Sequence, residues 1–190
     1  MKLNIVGVDP SLCNFGIVNA ILDTETLKFE ITSMALVESA DNAKKQKTVR
    51  KNSDDLRRAQ LLHDGFQKAV QGASFAFVEV PVGSQSSRAM ASYGVCIGVL
   101  ASCPIAMIQV TPAEVKLAGT GIKTATKSEM IDAAVAKYPT AKWFMRKLKG
   151  EMVLMNDNEH LADATFAIEA GINTAEFKNA IALLGKFKAA

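Results

Sequence analysis

The chain has 190 residues, of which 49% are hydrophobic, and a formal net charge of +3. That length suits one domain with a full core, so we expect a single domain over 1–190. No apolar run approaches the roughly 20 residues that cross a bilayer, and the amino terminus lacks the pattern of an export signal. The three cysteines, Cys13, Cys96 and Cys103, form no CxxC pair. We therefore expect a soluble cytoplasmic protein with no membrane partner.

Positive charge is concentrated in two windows of the sequence. Residues 41–58 and 137–151 together hold 12 of the 22 basic residues but only 4 of the 19 acidic ones. Concentrated positive charge on an otherwise acidic chain favours a polyanionic partner such as nucleic acid. The alternative is that both windows are solvated surface segments.

The first part of the chain predicts a strand meander followed by a helix. Apolar patterns separated by short polar turns predict strands over 2–8, 15–22 and 27–37. The polar stretch 39–52 is typical of a mobile segment. Ser53 is a good N-cap, so we expect a helix from there to Gly72. Its predicted apolar face consists of Leu56, Ala59, Leu62, Phe66 and Val70.

The remainder of the chain alternates between strands and helices. Two further strands are predicted over 74–80 and 105–110. Helices are predicted over 85–102, from Thr111-Pro112 onward, and over 126–138, 157–171 and 174–188. This order predicts an α/β fold, a mixed five-stranded sheet with helices on both faces.

Acidic residues stand at the ends of two of these strands. Asp9 ends the first strand and Glu79 ends the fourth, so parallel pairing of the two would place both carboxylates at one sheet edge. The helix over 157–171 adds Asp163, which shares a helix face with His160 and Glu159. Each residue alone has an ordinary alternative: a turn former, an exposed strand end or a packed histidine.

Together these side chains predict a metal site. Clustered carboxylates repel one another and need cations, and an oxygen-rich set suits Mg²⁺, with Mn²⁺ as an alternative. Two such ions would activate a water and stabilise the leaving oxygen in a phosphodiester displacement. Because the basic windows would hold a nucleic-acid backbone, the residues predict a metal-dependent nuclease.

Five segments of the sequence resemble the RuvC family of Holliday junction resolvases. They are GVDPSLCNFG, FVEVP, VTPAEVK, ATKSEM and HLADATFAIEAG, and the likeness runs from residue 3 to about 172. The resemblance implies an RNase H-like fold, two Mg²⁺ ions per active site and a homodimer, with the helix over 85–102 as a candidate surface. It also implies paired symmetric nicks in a four-way DNA junction. The extended form is similar to phage-encoded members, which implies a bacterial or phage-infected host cell.

The resemblance also implies roles for individual residues. Asp9, Glu79 and Asp163 match the family's metal-binding acids, and His160 falls at the fourth acidic position, where some members also carry His. Lys116 and Lys127 match two basic residues near the scissile phosphate. The expected catalytic residues are therefore Asp9, Glu79, His160, Asp163 and Lys116. The expected DNA-binding residues are these two lysines, Lys116 and Lys127, together with Arg88 and the basic residues of the first charged window, Lys44, Lys45, Lys47, Arg50 and Lys51, which the resemblance does not supply.

The sequence departs from the family pattern in three places. An aromatic residue expected after Glu79 is replaced by Pro81, Val82 and Gly83. Insertions occupy 41–51 and 140–156, and in the second of these Trp143 and Phe144 either stack on bases or pack against the core. Two alternative functions therefore stay open: a flap or branched-DNA nuclease of the same fold, and a junction-binding protein that does not cut.

Overall fold

The computed structural model describes residues 1–39 and 51–189. One sheet contains five strands in the order β3-β2-β1-β4-β5. These strands are β1 (Lys2–Pro10), β2 (Asn14–Asp23), β3 (Lys28–Glu38), β4 (Phe75–Glu79) and β5 (Ala106–Val110). The first three pair antiparallel as a meander, whereas β4 lies parallel to both β1 and β5. The mixed five-stranded sheet expected from the sequence is confirmed.

In the part of the chain that the structure describes, six helices lie on the two sides of this sheet. They are α1 (Lys51–Val70), α2 (Ser87–Leu100), α3 (Pro112–Thr120), α4 (Lys127–Lys137), α5 (Asn158–Ile172) and α6 (Ala175–Ala189). On one face, α1 and α2 bury Leu62, Phe66 and Val99 against the apolar side chains of β1 and β4. On the other face, α5 packs Ala164 and Ile168 against Ile5 and Phe77. None of the helices in the described ranges is long and apolar enough to cross a membrane.

The start of α1 differs from the sequence prediction. The helix begins at Lys51, so Ser53 lies inside its first turn instead of capping it. Asp54 forms ion pairs with Arg57 and Arg58 one turn later, at 2.8 Å each, and such pairs stabilise the first described turns of the helix. Leu56 was also expected on the buried face but is 61% exposed, because it lies in a groove between α1 and α2.

The predicted mobile segment 39–52 is tested only at its two ends. Ser39 is buried and donates its hydroxyl to the carbonyl of Leu12, and Asn52 is helical, so both ends are ordered, contrary to that expectation. The rest of the stretch lies outside the described residues, apart from Lys51, which opens α1.

The second insertion contains two strands that the sequence did not predict. They are β6 (Met145–Leu148) and β7 (Glu151–Leu154), which pair antiparallel as a separate two-stranded sheet. Basic and apolar residues are mixed here without the strict alternation that marks a half-buried strand. Trp143 packs partly buried beside α4 and α5 and donates Nε1–H to the carbonyl of Tyr138 at 3.0 Å. For Trp143, the structure favours core packing over base stacking.

Candidate active site

Asp9 and Glu79 lie side by side at one edge of the sheet. The last registered pair between β1 and β4 is Val8 with Val78, and each carboxylate is the next residue along its strand. Because side chains alternate along a strand, Asp9 shares a face with Gly7, and Glu79 shares a face with Phe77. Gly7 and Phe77 both contact α5, so the two carboxylates project toward that helix.

Two glycines let α5 approach the sheet closely. A Cβ added at Gly7 would lie 2.1 Å from the carbonyl oxygen of Ala164, and one added at Gly16 would lie 2.1 Å from that of His160. Any other residue at either position would force the helix away from the sheet. This close packing brings His160 and Asp163, on the first half of α5, to the edge that carries Asp9.

His160 is fixed by a direct hydrogen bond to Asp9. The distance from Nδ1 to Oδ2 is 2.6 Å, and both side chains are mostly buried. The other ring nitrogen, Nε2, lies 3.5 Å from Nδ2 of Asn14 and 3.6 Å from Oε1 of Glu159. Burial opposes a charge on the imidazole, but the Asp9 hydrogen bond and the surrounding negative charges outweigh it and raise the pKa of His160 above its ordinary value.

The other two acids are perturbed in the direction that clustered carboxylates require. Burial, together with the charges of Asp9 and Asp163, raises the pKa of Glu79 to about 9. Burial and the charge of Asp9 likewise raise the pKa of Asp163 to about 7, although His160 opposes this shift. Both carboxylates therefore hold a proton more readily than free carboxylates do, and added positive charge would favour their ionised forms.

The donor set fits an oxygen-ligated divalent cation. Asp163 Oδ1 is buried and has no hydrogen-bond partner among the described residues, which is costly for a carboxylate oxygen unless a ligand satisfies it. Carboxylates with one imidazole suit Mg²⁺ or Mn²⁺ rather than structural zinc. As the side chains stand, however, no group of three or more His, Cys, Asp or Glu residues within 1–39 and 51–189 has the geometry to hold an ion.

Lys116 and Lys127, which were both expected near the scissile phosphate, occupy different positions relative to the acidic cluster. Lys116, on α3, lies close enough to the acids to lower the pKa of both Glu79 and Asp163 against the larger opposing effects. Lys127 opens α4 and donates Nζ–H to Oε1 of Glu159 at 2.7 Å, while its own side chain stays 78% exposed. Lys116 therefore borders the acidic cluster directly, and Lys127 reaches its rim through Glu159.

Of the remaining expected DNA contacts, Arg88 is the one whose side chain the structure describes, and it pairs with α1 and not with the acidic cluster. Arg88 forms a bidentate ion pair with Asp55 of α1, at 2.5 and 2.7 Å, so its guanidinium joins α1 to α2. The side chain of Lys51 is not described. Four further expected contacts lie outside the described residues: Lys44, Lys45, Lys47 and Arg50.

Sequence reasoning assigned no role to two polar side chains at this edge. Asn14 begins β2 and faces the His160 ring, and Glu159 lies between His160 and Lys127. The spacing of Glu159 from Asp163 placed both on one helix face, but only the packed structure shows that Lys127 meets Glu159. No pattern in the sequence marks Asn14.

Comparison with known proteins identifies the fold. No protein-family model matches this sequence, and no curated protein matches it significantly. Among solved structures, T. thermophilus RuvC in complex with a Holliday junction substrate matches with a TM-score of 0.61 at 16% identity, over 93% of this chain and 96% of that one. A second Thermus thermophilus RuvC structure matches with a TM-score of 0.57 at 18% identity, over 97% of each chain.

These likenesses and the sheet order give the chain an α/β architecture of the RNase H-like fold class. Within that class, the chain has the fold of RuvC, and the likeness extends over nearly its whole length.

Proposed function

We propose that this protein is a metal-dependent DNA endonuclease that resolves four-way junctions by paired symmetric nicks. The observation that carries the proposal is the meeting of Asp9, Glu79, His160 and Asp163 at one sheet edge. That edge lies on the fold of RuvC, a protein whose structure was solved with a Holliday junction. Branched DNA is therefore the proposed substrate.

Asp9, Glu79, Asp163 and His160 would hold two Mg²⁺ ions, with Mn²⁺ as an alternative. With the ions bound, the site gains Lewis acids that activate a water and stabilise the leaving oxygen of a phosphodiester. His160, oriented by Asp9, is placed to ligate or to hold a proton on Nε2. The Lys116 ammonium neutralises charge on the scissile phosphate. Cleavage in this manner leaves a 5′-phosphate and a 3′-hydroxyl.

Basic residues around this edge would hold the DNA. We assign Lys127 to the phosphates beside the cut, because its exposed side chain stands at the rim of the acidic cluster. The basic segment containing Lys44, Lys45, Lys47, Arg50 and Lys51 would also bind the DNA backbone. Ser39, the described residue that precedes this segment, donates its backbone N–H to the carbonyl of Cys13, in the turn that follows β1. Arg88 contributes by bracing α1 against α2, since Asp55 occupies its guanidinium.

A second copy of the chain would pack on α2 and so give two active sites for the two nicks. Met90 and Ile97 of this helix are each 47% exposed. Gly94 and Gly98 leave a smooth surface beside a groove of about 1040 Å³ shared with α1. Exposed apolar side chains around small residues permit close helix packing between subunits.

The test is a comparison of cleavage on four DNA substrates: a four-way junction, a flap, a fork and a linear duplex, each with Mg²⁺ and with EDTA. We expect cutting of the junction alone and only with the metal. Cutting of the linear duplex at a similar rate would overturn the proposal. Junction binding without a cleavage product at any Mg²⁺ or Mn²⁺ concentration would instead support the alternative of a junction-binding protein that does not cut.

One structural feature favours the flap or branched-DNA nuclease as a second candidate. Val82 is 77% exposed in the loop after Glu79, where a larger aromatic ring would be needed to stack on an unpaired base. A protein without that contact has less to distinguish the centre of a junction from a simpler branch. Preferential cutting of the flap or fork would select this alternative.

A further inference from the structure

The β6–β7 hairpin projects from the body of the protein. Its two strands are joined by Lys149 and Gly150, both at positive φ (50° and 98°), as in the tight turns that match the twist of a hairpin. No other described helix or strand makes more than marginal contact with these strands. An isolated two-stranded hairpin is at best marginally stable in water, so this one depends on its base.

The base of the hairpin is fastened to the first turn of α5, the helix of the candidate active site. Asn158 is fully buried; its Oδ1 accepts from the N–H of Phe144 at 2.8 Å, and its Nδ2 donates to the carbonyls of Phe144 and Met155 at 2.8 and 3.0 Å. Met155 N–H also donates to the Phe144 carbonyl at 3.0 Å. Asn158 precedes His160 by two residues, so the hairpin leaves the protein beside the acidic edge.

The exposed part of the hairpin is basic and apolar. Four cations lie along it and just before it: Lys142, Arg146, Lys147 and Lys149, all exposed. None of the four forms an ion pair with any carboxylate in the described parts of the chain, in contrast to Lys127, Lys137 and Arg88. Met145, Leu148 and Met152 are 42%, 48% and 60% exposed. Exposed apolar side chains among unpaired cations suit a partner that offers both negative charge and apolar surface.

We propose that the β6–β7 hairpin is an arm that binds the substrate DNA. It would contact the DNA beside the start of α5, next to the acidic edge. Arg146 and Leu148 lie on one face of the hairpin, and Lys147 and Met152 lie on the other. The arm therefore enters a groove of one duplex, as a two-stranded ribbon can, so that Arg146, Lys147 and Lys149 contact phosphates while Leu148 and Met152 pack against sugars and base edges. The inference rests on the proposed nuclease function and adds the element that positions its substrate.

The positive charge and the length of the hairpin both support DNA as its binding partner. Strands of four residues extend about 13 Å from the base of the hairpin at ~3.3 Å per residue, which corresponds to about four base pairs of duplex. The arm therefore spans the phosphates closest to a bond cut at the acidic edge. A second copy of the chain is the competing partner, but its clustered carboxylates lie at the acidic edge, which the proposed metal ions and scissile phosphate would occupy.

The experiment compares the salt dependence of junction binding for the wild type and an Arg146→Gln/Lys147→Gln/Lys149→Asn variant, measured with EDTA so that no cutting occurs. Asn tolerates the positive φ of residue 149 and, before Gly150, favours the same turn. The loss of three phosphate contacts reduces the slope of log K against log salt by about 2.7. Between 50 and 200 mM salt, wild-type affinity should then fall about 40-fold more than that of the variant.

A matched control neutralises three exposed lysines at the opposite end of the sheet, Lys2→Gln/Lys28→Gln/Lys178→Gln, and should leave the slope near that of the wild type. An equal decrease of the salt-dependence slope in the control, or an unchanged slope in the hairpin variant, would overturn the proposal that the hairpin is a DNA-binding arm. If the wild type then still cuts junctions, the proposed function stands without it. A wild type that neither binds nor cuts junction DNA would overturn both.

A second variant tests the role of the apolar residues and the alternative that the hairpin contacts a second copy of the chain. Leu148→Ser/Met152→Ser should weaken junction binding at least threefold while its sedimentation coefficient stays that of the wild type. Dissociation of a dimer by this variant, with unchanged DNA affinity of the remaining protein, would assign the hairpin to contact between copies and overturn the proposal.

Discussion

The hydrogen bond between Asp9 and His160 joins β1 to α5 and makes these residues the structural centre of the candidate site. Asp9→Asn keeps a side chain that can still hydrogen-bond the ring but removes one negative charge. We expect the single-turnover cleavage rate to fall at least about 100-fold, while junction affinity stays the same or increases because repulsion of phosphate is reduced. The measurements are quenched-flow cleavage with Mg²⁺ and fluorescence anisotropy without it.

Asp23→Asn is a matched control, since Asp23 ends β2 at the opposite end of the sheet. Equal losses of binding and cleavage in Asp9→Asn would mean that Asp9 serves the fold alone.

Glu79 makes the metal-free protein sensitive to pH. Its pKa is raised to about 9, so between its ordinary value near 4.5 and about 9 the folded state binds more protons than the unfolded state. The free energy of unfolding therefore falls as pH rises through this window. Glu79→Gln removes the effect, and at pH 8 in EDTA we expect the variant to be more stable by on the order of 2 kcal/mol, or about 4–8 °C in Tm.

Calorimetry from pH 5 to pH 8 measures this difference, with exposed Glu30→Gln as the control. Mg²⁺ should raise the Tm of the wild type and have little effect on Glu79→Gln. Parallel pH profiles for the two proteins would contradict the account of Glu79.

The acids of the site could be predicted from the sequence because each stands at a recognisable position. Asp9 and Glu79 end apolar strands, and Asp163 lies on a helix face with small neighbours. The roles of Arg88 and Lys127 could not be predicted in this way. Their partners, Asp55 and Glu159, are more than 30 residues away in the sequence, so only packing of the helices reveals the ion pairs.

At the scale of elements, the site depends on how closely α5 approaches β2. Gly16→Ala places a methyl group against the backbone of His160, which cannot give way as a side chain can. We expect the start of α5 to shift, a loss of about 1–3 kcal/mol in stability and a fall of ~100-fold in cleavage rate, since small misplacements of catalytic groups are costly. Thermal unfolding and cleavage assays well below the Tm measure the two effects.

Gly185→Ala is the matched control because nothing lies within 4 Å of the added Cβ on α6. Wild-type cleavage by a folded Gly16→Ala protein would contradict the proposed role of the close approach.

Elements with strong local signals were predicted well. The capping boxes of Thr111 with Glu114 and Thr126 with Glu129 define the starts of α3 and α4, and both helices lie where they were expected. The β6–β7 hairpin was missed because its stability comes from Asn158, a residue of the following helix, and not from its own pattern. The start of α1 was placed late because Ser53 has the side chain of an N-cap, whereas the helix already includes Lys51 and Asn52, so that Ser53 lies within it.

At the scale of the whole molecule, paired nicks require two active sites in one assembly. Ile97→Glu puts a charge at the centre of the proposed α2 surface, where Ile97 is already half exposed, so the monomer should fold normally. We expect the variant to sediment as a monomer at micromolar concentration and to make single rather than paired nicks. Leu183→Glu, on the exposed side of α6, should behave as the wild type.

A wild type that is monomeric with junction DNA present would contradict the paired-site assembly while leaving the chemistry of the acidic edge unaffected.

The decisive experiment for the proposed junction cleavage maps nicks on a four-way junction labelled in each of its four strands. The wild type and Asp9→Asn are incubated with the junction and a matched duplex, with and without Mg²⁺. The account predicts Mg²⁺-dependent nicks at symmetric positions in two opposing strands, none in the duplex and none with Asp9→Asn. Cleavage that persists in Asp9→Asn, or nicks scattered equally over junction and duplex, would contradict it.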